Sequence, residues 1–265
     1  MKFILIIIVL VIYYSYKKYN PIICNVLNIN SYNIKKIKML TYNVQRLPYY
    51  FRPLLDIDNL MNMYDIICLQ ENFCSILGLN QHNYGYNCII PSGSLYKIAN
   101  SGLTIYSKLP IQYIDFINYT NLTSVDKISD KGFLIIKVND MYIINTHLQA
   151  SYSVNNNFVN EAMSQLNKII TYCSLMDKVV ICGDFNIDLQ SININNYNKI
   201  VTDIPTHWDK MDSNYKNNSS CFEIEGYFPF YFDGGFYKNL SINNIKTVSH
   251  DKYSDHLGVE FIINL

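Results

Sequence analysis

Arginine is almost absent from this chain. Arg46 and Arg52 stand alone among 265 residues, and 21 basic side chains are balanced by 21 acidic ones. Proteins that hold a partner mainly through bulk attraction to phosphate normally carry a basic excess. That mode of nucleic-acid binding is therefore disfavoured, although a local basic groove stays open. Tryptophan occurs once and no internal repeat of fixed period is visible. The seven cysteines (Cys24, Cys68, Cys74, Cys88, Cys173, Cys182 and Cys221) are odd in number and form no CxxC pair. Neither a disulfide framework nor a structural zinc site is indicated.

Apolar residues are plentiful. They make up 49% of the chain, which places it among folded globular proteins rather than disordered ones. Cys68 in DIICLQE and Cys182 in VVICGDFN lie inside apolar runs, where cysteine acts as a small buried hydrophobe. Twenty-four tyrosines and a surplus of Ile, Asn and Lys read as a bias toward AT-rich codons, so single residues of these types carry little weight. After Met1-Lys2 comes an uncharged run from Phe3 to Tyr14, then Ser15, Tyr16, Lys17 and Lys18. A charged start, a short apolar stretch and a basic flank imply a signal-anchor or signal peptide over 1–18. The absence of a small-x-small cleavage site favours the uncleaved anchor. The expected location is the membrane, or secretion if the segment is cleaved.

Residues 19–35 read as a polar linker and 36–265 as the body. Strand-length apolar runs occur at 36–43, 65–70, 86–90, 102–107, 111–117, 132–138, 141–147 and 178–183. Phe158, Ala162, Leu166, Ile169 and Cys173 recur at helical spacing and predict a helix over about 155–175, with a shorter one near 54–63. Many strands with few helices between them imply packed mixed sheets flanked by helices. Residues 186–232 read mostly as polar loop, long enough to mark a functional surface.

Side chains with acid–base or metal-binding chemistry follow these runs. Asn43 ends KIKMLTYNV, Gln70-Glu71 end DIICLQE, and Asn145 with His147 ends MYIINTHLQ. Asp184 and Asn186 end VVICGDFN, and Asp255-His256 interrupt YSDHLGVEFII. Alone, each is an ordinary strand cap or a satisfied histidine. Strand ends on one sheet edge converge in space, and five in order argue for one site.

The ordered set TYNVQ, LQE, SGLTIYSK, NTHLQ, GDFN and SDHLGV resembles the motif series of the endonuclease/exonuclease/phosphatase superfamily, from Leu40 to about Phe261. The resemblance implies a DNase I-like, four-layered α/β sandwich of two packed mixed β-sheets flanked by helices. It also implies a metal-dependent phosphoric diester hydrolase using Mg²⁺, with Mn²⁺ as substitute. Carried over residue by residue, it gives Glu71 as principal metal ligand with Asn43 and Asp255 beside it. His147 and Asn186 then donate to phosphate oxygens, Asp184 orients the attacking water, and His256 is the general base. Asp233 is the acid that fixes the base's tautomer, although Gly234-Gly235 follow where a bulky pair is usual.

Asp126 and Lys131-Gly132 in DKISDKG resemble the Asp-x4-Lys-Gly segment of neutral sphingomyelinases, as do NTHLQAS and SGLTIYSKLPI in their own motifs. HWDKMDSN, with Trp208, Asp209 and Asn214, resembles their Trp-Asp segment, and His250 reads as loop. This branch implies a phospholipid substrate, sphingomyelin first, bound with help from Asp126, Lys131, His147 and Asn186 by a monomer. Phe222, Tyr227, Phe228, Phe230, Tyr231 and Phe232 could rest on lipid or belong to the core. A DNase I-like nuclease acting on nucleic acid and a phosphoinositide phosphatase are the alternatives. A membrane-anchored binding module that has lost activity is a third, opposed by the intact set of site residues.

Overall fold

The computed structural model describes residues 22–24, 34–46, 56–73, 87–91, 97, 99–151, 158–208, 229–250 and 254–265. The N-terminal apolar run, Asp209, Asn214, Phe222, Tyr227 and Phe228 lie outside the described residues. Among those described, no helix is long and apolar enough to cross a membrane.

Alternation along each strand decides the architecture. In β2 (Lys36–Arg46), Ile37 and Met39 enter one buried cluster while Leu40, Tyr42 and Val44 enter another. Successive side chains of a strand point to opposite faces, so β2 is buried on both. The same split holds in β9 (Lys178–Asp184), where Val180 and Cys182 face one way and Val179 and Ile181 the other. Strands covered on both sides belong to the middle of a layered sandwich.

One sheet runs β1 (Ile22–Cys24), β4 (Asn87–Ile90), β5 (Thr104–Ser107), β3 (Ile66–Asn72), β2, β15 (Gly258–Asn264) and β14 (Ser241–Val248). The other runs β10 (Asn198–Ile200), β13 (Asp233–Lys238), β9, β8 (Met141–His147), β7 (Gly132–Val138) and β6 (Gln112–Asn118). Both are mixed: β2 pairs parallel with β3 and β8 with β9, among otherwise antiparallel neighbours. Helix α1 (Ile57–Met63) buries Ile57, Leu60 and Met61 on the outer face of the first sheet. Helix α2 (Val159–Tyr172) buries Ala162, Leu166 and Ile169 on the outer face of the second. The four expected layers are present.

Several local expectations shift. Ile22–Cys24, inside the segment read as linker, pairs with β4. The region read as loop contains β10, β11 (His207–Trp208) and β12 (Pro229–Phe230). β14 escapes sequence reading because its residues are exposed or half-buried throughout, as suits an outermost strand. Gly234-Gly235 has a steric cause. A Cβ on Gly235 would lie 1.9 Å from the Ile181 carbonyl oxygen, and one on Gly234 would lie 2.2 Å from that of Ile200. The neighbouring backbones leave no room for side chains here.

His250 lies in loop, as expected, and its side chain is bonded there. Tyr64 donates its hydroxyl proton to Glu260 Oε2 at 2.6 Å and accepts from His250 Nε2 at 2.7 Å. Burial alone would raise the Glu260 pKa, but Tyr64, Lys246 and Lys38 outweigh it and hold the carboxyl below its ordinary value. Tyr64→Phe should therefore cost about 1.5–3 kcal/mol at neutral pH, the scale for a hydrogen bond to a charged group. A carboxyl whose folded pKa is depressed stabilises above its unfolded value of about 4.3, and that contribution is lost as pH falls through the folded value. Urea titrations of both forms should show the gap narrowing below about pH 4. A gap that widens there would contradict this account.

Candidate active site

Each central strand carries an inward row that begins apolar and ends polar. In β2 the row is Ile37, Met39, Thr41, Asn43; in β3 it is Ile66, Cys68, Gln70. In β8 it is Met141, Ile143, Asn145, His147, and in β9 Val180, Cys182, Asp184. The apolar part fills the space between the sheets. The polar part gathers at one mouth of the sandwich, where strand ends meet.

Asn145 and Gln70 form the floor. Gln70 Nε2 donates to Asn145 Oδ1 at 2.7 Å, and Asn145 Nδ2 donates to the carbonyls of Leu69 at 3.0 Å and Thr104 at 3.2 Å. These bonds link the two sheets through buried side chains, where an unmet amide would be costly. Above them Asn43 Nδ2 donates to Asp184 Oδ2 at 2.8 Å and to Glu71 Oε1 at 3.1 Å. Asn43 Oδ1 accepts from Gln45 N–H at 3.0 Å. Asn43 thus presents its nitrogen to the carboxylates, because its oxygen is already used by the next turn of chain.

Backbone strain marks the same place. Glu71, Gln45 and Asn186 have φ of 53°, 44° and 51°, in the left-handed region that non-glycine residues seldom occupy. Gln45 uses this turn to donate from Nε2 to Asp255 Oδ2 at 2.6 Å. Asp184 Oδ1 accepts from Asn186 N–H at 3.0 Å, a short-range Asp turn, while Asn186 Nδ2 donates to the Leu148 carbonyl at 3.2 Å.

Two imidazoles approach Asp184 Oδ2. His256 Nδ1 is 2.7 Å from Asp233 Oδ2, and its Nε2 is 3.8 Å from both Asp184 Oδ2 and Asp255 Oδ1. Burial would lower its pKa, but Asp233, Asp184 and Asp255 together hold it well above the ordinary value. His147 Nε2 is 3.6 Å from Asp184 Oδ2 and 3.8 Å from Glu71 Oε1. Burial, with Lys131 and His256 nearby, holds its pKa well below the ordinary value. Lys131 Nζ lies 3.2 Å from His147 Nε2, 3.0 Å from Asp126 Oδ2 and 2.8 Å from the Leu148 carbonyl. An ammonium only donates, so we assign His147 Nε2 as the acceptor.

The site residues expected from sequence therefore converge: Asn43, Glu71, Lys131, His147, Asp184, Asn186, Asp233, Asp255 and His256, with Asp126 behind Lys131. Sequence reading missed Gln45 and His207. The His207 ring lies 4.6 Å from that of His256, and burial and then the positive His256 push its pKa down to about 4. Its one signal, a histidine in HWDKMDSN, was hidden beside Trp208.

The class follows from fold and site together: a two-sheet sandwich with carboxylates, amides and paired imidazoles gathered at one edge. The chain belongs to the endonuclease/exonuclease/phosphatase family, whose model matches residues 40–240. It is 27% identical over 176 residues to a sphingomyelinase of Dictyostelium discoideum, which covers 49% of this chain and 38% of that protein. The chain thus spans well under half the length of that curated relative. Among solved structures, TDP2 of D. rerio complexed with a single-strand DNA product has a TM-score of 0.62 at 16% identity, covering 88% of this chain and 100% of that one. Beta toxin from Staphylococcus aureus has a TM-score of 0.59 at 18% identity, covering 85% and 99%. Sphingomyelinase C from Streptomyces griseocarneus has 0.56 at 17% identity, covering 86% and 99%. At these identities the structures speak to the fold.

The donor set fits a divalent cation. Ligand atoms of Glu71, His147 and Asp184 lie within 4.8 Å of one another, as do those of His207, Asp255 and His256. Burial and then the charge of Asp255 push the Glu71 pKa up to about 7. Asp255 Oδ1 is buried with no hydrogen-bond partner among the described residues. An oxygen-rich pocket short of positive charge suits a hard cation. A variant of the Staphylococcus aureus beta toxin was crystallised with bound magnesium ions.

Proposed function

We propose that this protein is a metal-dependent phosphodiesterase that hydrolyses a phospholipid, sphingomyelin first among candidates, to release phosphocholine. The observation that carries the lipid reading is Lys131: one buried ammonium, held by Asp126 at 3.0 Å and set against His147 at 3.2 Å. A single cation suits a single phosphate, whereas a nuclease needs several along a strand. Similarity to the Dictyostelium sphingomyelinase supports the same choice.

A cation held by Glu71 and neighbouring oxygens would neutralise charge on the phosphate and on the carboxylates around it. The remaining work falls to the chain. Lys131 releases His147 and donates to a phosphate oxygen, and Asn186 adds a second donor. Asp184 orients water; with the charge of Asp184 and Asp255 offset by a bound cation, His256 would be neutral and its Nε2 would take the water's proton while Asp233 keeps the other ring nitrogen protonated. The water oxygen bonds to phosphorus as the phosphorus–oxygen bond to the lipid breaks, and the departing oxygen takes a proton from solvent to leave as the alcohol.

The test offers the full chain in mild detergent sphingomyelin vesicles, plasmid DNA and inositol phosphates, each with and without Mg²⁺. Phosphocholine release should exceed DNA nicking, and Lys131→Ala should lower it by about 10²-fold, the scale for losing one transition-state donor. Plasmid nicking with no lipid turnover would overturn the lipid assignment and leave the family standing.

The N-terminal run would hold this site near its substrate, as an uncleaved anchor. Membranes washed with carbonate should retain the protein with residues 1–18 detectable by mass spectrometry. A soluble product beginning near residue 20 would show cleavage instead.

A further inference from the structure

β11 and β12 form a small hairpin-like pair outside both main sheets. Its position is set by backbone bonds to the segments that carry Asp233 and His256. Thr206 N–H donates to the Phe230 carbonyl at 3.0 Å, and Leu257 N–H donates to the Thr206 carbonyl at 2.7 Å. Asp233 N–H donates to Thr206 Oγ1 at 3.0 Å, and His207 pairs with His256 as an isolated antiparallel bridge. The strap therefore touches both members of the Asp233–His256 pair through main-chain contacts. It also delivers a side chain. The His207 ring stands 4.6 Å from the His256 ring at 39°, and its other neighbour is Phe232, stacked at 5.6 Å and 23°. Phe230 stacks on Phe232 at 4.7 Å and 11°, so four rings run in file and end on His256.

We propose that His207 is a positioning residue, a ring plate that backs the His256 imidazole and keeps Nδ1 on Asp233 while Nε2 points into the site. The proposal rests on the reading of His256 as the base.

Two features describe how the plate is held. His207 Nδ1 is buried and has no hydrogen-bond partner among the described residues. The His207 ring contacts both Phe232 and His256, so it is held by a ring on either hand. A side chain held between two rings limits rotation of the one that is otherwise free, and His256 is fixed by a hydrogen bond at one nitrogen only.

The full chain should be assayed with bis(para-nitrophenyl) phosphate, which reports phosphodiester hydrolysis whatever the natural substrate. His207→Ala should lower kcat about tenfold with KM little changed, and His207→Phe should restore it to within about threefold, since flatness rather than nitrogen is required. Proton NMR adds a readout independent of turnover. The His256 Nδ1–H resonance should move when the neighbouring ring current is removed in His207→Ala, and largely return in His207→Phe. If the alanine form does not fold, His207→Asn against His207→Phe makes the same comparison. Wild-type kcat in the ringless variant would overturn the proposal, as would a phenylalanine variant as slow as the ringless one. A wild-type protein inactive on every phosphodiester would remove the function above, yet the resonance shift would still decide whether His207 holds His256.

Discussion

His256→Ala should lower turnover by about 10²–10⁴-fold, the usual contribution of a positioned general acid or base. The geometry explains the size. His256 is buried, its Nδ1 is bound to Asp233 at 2.7 Å, and its Nε2 faces Asp184 and Asp255 at 3.8 Å. No neighbouring group can take its place, because His147 is turned to Lys131 and His207 is confined between rings. Loss of the ring also leaves Asp233 Oδ2 without its partner, a buried acceptor worth about 1–3 kcal/mol of stability. Turnover must therefore be measured where thermal melts show the variant folded. Asp233→Asn makes the companion test. It keeps the size of the side chain but can present an N–H to Nδ1, which turns the imidazole to the wrong tautomer. Its cost should approach that of His256→Ala. Near wild-type rates in either variant would refute His256 as the base.

Removal of divalent metal should abolish hydrolysis altogether. Glu71, Asp184, Asp233 and Asp255 crowd around two basic groups, Lys131 and His256, and burial with Asp255 has already driven the Glu71 pKa up to about 7. An anionic phosphodiester meeting that cluster without added positive charge would be repelled. EDTA should bring the rate to background, and Mg²⁺ or Mn²⁺ should restore it. Glu71→Gln should need a metal concentration at least about 10–100-fold higher, the scale on which even supporting groups alter affinity. Full activity in EDTA would end the metal-dependent reading. The protein should remain folded throughout, since the layers are held by the apolar clusters.

Much of this was written in strand ends. The runs through Asn43, Glu71, His147 and Asp184 each end where their inward row turns from apolar to polar, so order of motifs and order of strands coincide. Asp233 was findable by its distance from His256, although the two glycines after it made sense only once Ile181 and Ile200 were seen pressing on that strand. What stayed hidden depended on contacts between distant segments. Gln45 reaches Asp255 because its backbone is left-handed, and nothing in TYNVQ announces that. His207 gains its meaning from a two-residue strand beside β12 and from a bridge to His256 forty-nine positions away in the chain. β14 hides its inward residues, because Ile242 and Ile245 fall on either side of a register shift, three positions apart instead of two, and are only partly buried at the rim of the sheet.

The floor bond between Gln70 and Asn145 places the seam of the sandwich directly under the chemistry. Asn43, Glu71, Asp255 and His256 ride on or beside one sheet, and Lys131, His147, Asp184 and Asp233 on or beside the other. The site is in effect a vernier: its critical distances, such as 2.8 Å from Asn43 to Asp184, read out how one sheet is seated on its partner. A core substitution well below, at Cys68 or Cys182 for instance, would change that seating by the width of a methyl group. Catalysis would feel the slip while the fold remained intact, so distant packing residues belong to the enzyme's tuning as much as to its stability.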